Sequence, residues 1–185
     1  MSLQDIAKAL RRAEAIFQRR PDAATHDDLP AAAHWEHGTR VVTHHANGKQ
    51  VVTDMPSELG GTGDQVTPGW LFRAGLAACA ATSINMAAAL QGIALTTLLV
   101  EAKSKTDSRG LLGMREPDGT QFYVGPLDMQ LHVQISAPGI SPERLRELVE
   151  QGVRNSPVPS AVSHATPIAL HINVEGDLGI NSETV

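Results

Sequence analysis

Aromatic residues make up only 3% of this 185-residue chain, and cysteine occurs once, as Cys79. So few rings leave no stacking platform for bases or sugars, and the core must be built from Ala, Val, Leu and Ile. One thiol can form no disulfide within the chain and no multi-cysteine zinc site. A reducing compartment fits that usage. Basic charge is also scarce: 15 Lys and Arg against 20 Asp and Glu give a net charge of −5, which argues against a general nucleic-acid binder. The first 20 residues carry Lys8, Arg11 and Arg12 among short apolar runs and lack the apolar h-region of a signal peptide. The expectation is a cytoplasmic protein. With 42% hydrophobic and 19% charged residues the composition is that of a folded chain, not a disordered one.

Within that composition the elements are readable in order. Residues Ser2 to Arg20 predict a helix, with Ser2 as N-cap, Asp5 three residues later, and Leu3, Ile6, Leu10, Ala13 and Phe17 at helical spacing. Its narrow apolar stripe suits docking on the protein's own body rather than lying on a membrane surface. Pro21 to Pro30 reads as a polar, acidic linker. Residues 1–30 are therefore set apart as N-terminal helix and linker, and 31–185 as the main domain.

Arg40 to Thr43 and Gln50 to Thr53 flank Asn47-Gly48 as a β-hairpin. The stretch from Pro68 to Gly92 is rich in Ala, Leu and Met, opens on proline and closes on glycine, and is apolar almost all round. It predicts a buried central helix. Arg73, Thr82, Ser83, Asn85 and Gln91 argue against a lone membrane span. Three β-prone segments follow: Thr96 to Lys105; a second with Met129, Leu131, Val133 and Ile135 alternating; and a third repeating this with Ile168, Leu170, Ile172 and Val174. Asp107 to Gly110 reads as a turn, and Ser141 to Arg154 as a helix capped by Ser141 with Pro142 at N1. The fold class is α+β, with antiparallel sheets around a buried helix.

Cys79, flanked by Ala77, Ala78, Ala80 and Ala81, has room for a small molecule to approach the sulfur. A cysteine in an apolar helix is also a common packing residue, and a reactive one needs a nearby cation, base or helix N-terminus. His34 with His37 and the pair His44-His45 form no recognised metal pattern, while His132 and His171 fall on polar strand phases. Gly60-Gly61-Thr62-Gly63 lacks the Gly-Lys-Ser/Thr ending and the strand-to-helix setting of a phosphate cradle. No metal and no cofactor are expected.

Glu58-Leu59-Gly60-Gly61-Thr62-Gly63, Pro68-Gly69-Trp70-Leu71-Phe72 and Ala77-Ala78-Cys79 together resemble the OsmC/Ohr family of osmotically induced and organic-hydroperoxide-resistance proteins. The resemblance runs on through Gly92-Ile93-Ala94-Leu95, Asp107 to Gly110 and Ser156-Pro157-Val158. It covers about residues 36 to 175 and leaves out the N-terminal helix. It implies antiparallel β-sheets wrapped around long central helices in an intertwined homodimer. It also implies that Cys79 is the peroxidatic cysteine, with an organic hydroperoxide as partner.

Two positions depart from the family's pattern. Ser156 stands where peroxidase members have a second, resolving cysteine, so turnover would need an external thiol or dithiol reductant. Gly69 stands where they have a glutamate that orients a catalytic arginine. Arg40 matches that arginine's place in the early hairpin to within a residue, either as the thiolate's counter-charge or as a solvated strand residue. Arg73 is a second candidate cation. Two functions follow as expectations: peroxide reduction or sensing through Cys79, or a dimer that has lost catalysis and binds a small apolar ligand. No nucleic acid and no membrane enter either.

Overall fold

The computed structural model describes residues 2–174. The first helix, α1 (Leu3–Arg19), starts where the sequence says it should. Ser2 Oγ accepts from the Asp5 amide, and the Asp5 carboxylate accepts from the Ser2 amide. These reciprocal bonds satisfy donors that a helix start otherwise leaves free. A short 3₁₀ turn at Pro21–Ala24 opens the linker.

Three antiparallel strands follow, β1 (Ala32–His37), β2 (Arg40–His44) and β3 (Gln50–Thr53), in the order β1-β2-β3. The β2–β3 hairpin has the expected strands, with Val42 opposite Val52. The pairing of β1 on β2, with Trp35 opposite Val41, is an addition to the sequence reading. This sheet does not pack substantially on any helix or on the other sheet. Trp35 stands exposed on it, tied only by its indole N–H to the carbonyl of Gly38.

The central helix α2 (Pro68–Leu90) is capped by Thr67 Oγ1, which accepts from the Trp70 amide, and its exit bends at Gly92 in a left-handed conformation. Its Leu76, Ala80, Ile84, Ala87, Ala88 and Ala89 are buried. The sequence predicts a buried central helix, and within this one chain α2 is buried around part of its circumference. One face is covered by α1, α4 (Pro142–Arg154), α5 (Pro157–Ser163) and β4 (Thr97–Lys105), while Trp70, Phe72, Met86 and Leu90 remain exposed.

β4 pairs with β5 (Leu127–Ser136), Val100 opposite Val133, and both strands alternate between half-buried and exposed residues as read. Asp107 to Gly110 is not a plain turn. It leads into one helical turn, α3 (Ser108–Leu111), because the Asp107 carboxylate accepts from the Arg109 amide and caps it. The third expected strand is absent. Ile168, Leu170, Ile172 and Val174 have no regular structure, and Ile168 is 93% exposed. Alternation specifies which side chains a strand would bury, yet a strand also needs a hydrogen-bonding neighbour. No described residue of this chain pairs with that segment. The remaining residues to Val185 lie outside those described.

The core proper is small: Ala87, Ala88, Ile93, Ala137, Leu145 and Leu148, with Ile135, Leu95 and Ile140 against them. It locks α4 across α2. At Gly152 the two backbones come so close that a Cβ there would lie 2.6 Å from Ile84 Cα. That approach sets the position of everything after α4.

Candidate functional site

Cys79 sits in the middle of α2, about 16 Å of helix rise beyond Pro68, too far for the partial charge of the helix N-terminus to act on it. Leu148 packs by Ala88 and Gly152 by Ile84. Following α4 in that antiparallel direction brings Ser156 to Cys79. The α4 helix ends at Arg154 and α5 begins at Pro157, so Ser156 is held in the bend between two helices. Its side chain is fully buried, and Ser156 Oγ donates to Cys79 Sγ at 3.2 Å. Cys79 itself is half-buried, between Ala80, which is inaccessible, and Ala78, which is exposed. A buried hydroxyl spent on a sulfur gains a partner for itself and fixes the sulfur's orientation.

The sequence predicted Cys79 and noted the serine at 156. The resemblance places Ser156 at the resolving position, within reach of Cys79, and the structure shows the contact, across 77 positions of chain. The signal was Gly152 on the apolar face of α4, which marks a close helix crossing.

Arg40 lies elsewhere. Its Nη2 donates to Asp54 Oδ2 at 3.3 Å and to Thr62 Oγ1 at 2.9 Å, and it pairs closely with Asp64. Asp54 is 2% exposed and also accepts from Thr39 Oγ1 at 2.5 Å, Thr62 Oγ1 at 2.7 Å and the Met55 amide at 2.8 Å. The hydroxyls of Thr39 and Thr62 hold the Asp54 carboxyl far below the usual carboxylate range, and Asp64 is lowered by the Thr62 hydroxyl, whose one proton the two carboxylates share, and by Arg40. Arg40 Nε is buried with no partner among the described residues. This clasp ties β2 to the Gly60–Gly63 loop. Sequence reading missed Asp54 and Asp64 altogether, although Thr39, Thr62 and two carboxylates around one arginine were visible in it. No hydrogen bond joins Arg40 to Cys79 among the described residues.

Arg73 donates from Nη1 to Ser104 Oγ on β4 at 3.4 Å. A Cβ at Gly69, one turn before it, would sit 3.7 Å from the same Nη1 with no clash. A side chain at 69 would therefore start against Arg73. Of the histidines, His34 and His44 do meet, edge to face with centroids 5.3 Å apart, because both lie on one face of the β1–β2 pair. Among the described residues no three His, Cys, Asp or Glu groups come together as a metal site would require.

Comparison with known proteins fits this arrangement. The profile described as OsmC-like protein matches residues 61–171, the span from the clasp's loop through Cys79 and Ser156. An OsmC like protein from Mycoplasma pneumoniae shares 19% identity and superposes with a TM-score of 0.62, over 76% of this chain and 90% of that one. An organic hydroperoxide resistance protein OsmC from Legionella pneumophila shares 24% identity with a TM-score of 0.53, over 76% and 92%. An organic hydroperoxide resistance protein from Elizabethkingia anophelis shares 23% with a TM-score of 0.52, over 76% and 91%. At these identities the structures speak to the fold alone, and no curated protein matches. With its fold shared by these structures and more than half its length matched by one profile, the chain belongs to the OsmC-like protein family.

Proposed function

We propose that this protein is a homodimeric, cytoplasmic thiol protein that reduces or senses organic hydroperoxides through Cys79. The observation that carries the reading is the bond from buried Ser156 Oγ to Cys79 Sγ. It aims one hydrogen-bond donor at the chain's only thiol, among alanines small enough to admit a peroxide. The Cys79 thiolate attacks one peroxide oxygen; the S–O bond forms as the O–O bond breaks, and the alkoxide leaves as an alcohol after taking a proton from solvent. Sulfur is thereby oxidised to a sulfenic acid and the peroxide reduced. Ser156 carries no thiol, so an external thiol condenses with the sulfenic acid, releasing water. A second external thiol then frees Cys79 and leaves as the disulfide.

Two observations support a second copy. One face of α2 is open, and among the described residues no helix or second sheet packs substantially on the β1–β3 sheet, although Trp35 and Val51 stand exposed on it. The same sheet carries Arg40, which this reading makes the thiolate's counter-charge. Held by Asp54 and Asp64 in its own subunit, that guanidinium would meet a thiol across the subunit interface.

A second reading has its own observation. The clasp satisfies Arg40 with two carboxylates, and Gly69 offers no carboxylate to compete for a cation. An OsmC-like dimer arranged so would keep its cleft for a small apolar ligand without chemistry. Steady-state consumption of cumene hydroperoxide with dithiothreitol separates the two. The first reading expects turnover in the wild type and none in Cys79→Ser. Equal, background rates in both would leave the binding reading.

A further inference from the structure

The family profile begins at residue 61, and α1 with its linker lies wholly before it. The helix is fixed to its own subunit: Ala7 is buried where α1 packs on α2, and Arg11 Nη2 donates to the Leu90 carbonyl at 3.3 Å. Only part of its apolar stripe is used there. A groove of about 180 Å³ stays open between Leu10 on α1 and Ser83, Met86 and Leu90 on α2. A second, of about 570 Å³, continues along α1 past Ala13 to Phe17. Phe17, Met86 and Leu90 stand exposed along this seam.

Two further observations bear on what covers it. The first is continuity. Gly75, Ala78, Thr82, Met86 and Leu90 are exposed at spacings of three or four residues, so they form one stripe along α2. That stripe is the open face which the dimer reading gives to a second copy, and at Met86 and Leu90 it runs into the seam without a break. The second is the path of the chain. Among the described residues no helix or second sheet packs substantially on the β1–β3 sheet, and in the dimer reading that sheet lies on the other copy. Because α1 stays on its own α2, the chain between them must pass from one subunit to the other. Pro21 to Ala31 has the character of such a crossing. Every residue in it is exposed, and no regular structure follows the turn that ends at Ala24. After the polar run Thr25 to Asp28, Leu29 projects 69% exposed, an apolar side chain that gains only where another surface takes it out of water.

We propose that α1 and its linker form a further part of the subunit interface: a second copy of this chain seats over Phe17, Met86 and Leu90, and Leu29 is buried on that copy. This rests on the reading of the protein as a homodimer and adds to it a segment that the family profile does not reach. Two-fold symmetry makes the contact occur twice, each subunit giving one seam and one linker. The anchor at Arg11 fixes where the linker leaves its own subunit, and the linker sets where the β1–β3 sheet arrives on the other.

Sedimentation equilibrium on the full-length protein tests this, comparing the wild type with Phe17→Glu and Leu29→Ser. Leu29 lies outside every helix and strand of its own subunit, so its substitution leaves that fold intact and guards against misfolding in Phe17→Glu. Each variant should raise the dimer dissociation constant at least about tenfold, the effect of removing a large apolar side chain from two symmetric contacts. A wild-type constant in either variant would overturn the proposal, giving the seam to another occupant, while the dimer reading stood. A wild type that stays monomeric would overturn both.

Discussion

In the helical body a hydroxyl and a sulfur meet, Ser156 with Cys79, inside a crossing of α2 and α4 set by alanines and Gly152. In the N-terminal sheet the polar groups are ions, Arg40 between Asp54 and Asp64, with Thr39 and Thr62 supplying hydroxyls. The body's pair is positioned by packing, so its geometry persists if one polar group is removed. The sheet's clasp is positioned by its own charges and hydrogen bonds, because no helix backs that sheet. Packing leaves a reactive group free to do something else; in the clasp Arg40 Nη2 is committed to the carboxylates and Thr62, while its Nε has no partner among the described residues.

The sharpest way to break this contrast is to remove one charge from the clasp. Asp54→Ala leaves Arg40 in a buried site without its inner carboxylate and should give the largest structural effect of any single change considered. Amide exchange should show protection lost across β2 and β3 while α2 and α4 keep theirs. Loss of protection everywhere at once would mean that the two regions fold as one unit.

Acid probes the same cluster. The Asp54 and Asp64 carboxyls are held low in the folded chain, above all by the hydroxyls of Thr39 and Thr62. Their contribution is therefore fully present above the unfolded value of about 3.9 and is lost as pH falls from there through the folded values. The urea midpoint of the wild type should drop steeply below about pH 4, and that of Asp54→Ala less so. Parallel curves would remove Asp54 from the account.

In the body, Gly152→Val forces a side chain into the α2–α4 contact and should cost about 1–3 kcal/mol, measured by denaturant unfolding. It should also slow Cys79 oxidation by moving Ser156. Ser156→Ala should leave the fold close to intact and remove a donor worth about 1.5–3 kcal/mol to a charged sulfur, slowing oxidation by roughly tenfold or more. An unchanged rate would make the Ser156 contact mere packing. The smallest effect belongs to Gly69→Glu. Its carboxylate would pair with Arg73 one turn on, worth about 0.2–0.5 kcal/mol, visible as a slight rise in thermal midpoint.

How much of this the sequence carried depended on the range of the interaction. Capping and periodicity act within a few residues, so α1, α2, α4 and the alternation of β4 and β5 were legible from Ser2, Pro68 with Gly92, Ser141 and their apolar stripes. The site was legible as residue types, Cys79 and Ser156, through the resemblance rather than through chemistry. The ion clasp was not, because nothing local ties Asp54 to Arg40 and Thr62. The failed strand at Ile168 to Val174 and the half-covered α2 share one cause: apolar pattern reports that a face can be buried, not what it packs against.

The account turns on whether Cys79 reacts. The most direct measurement is its rate of conversion to sulfenic acid by cumene hydroperoxide and by hydrogen peroxide, followed by intact mass with a sulfenic-acid trap. Rapid trapping at one site, faster with the organic peroxide and absent in Cys79→Ser, is the predicted result. A wild-type thiol still reduced in excess organic peroxide would contradict it.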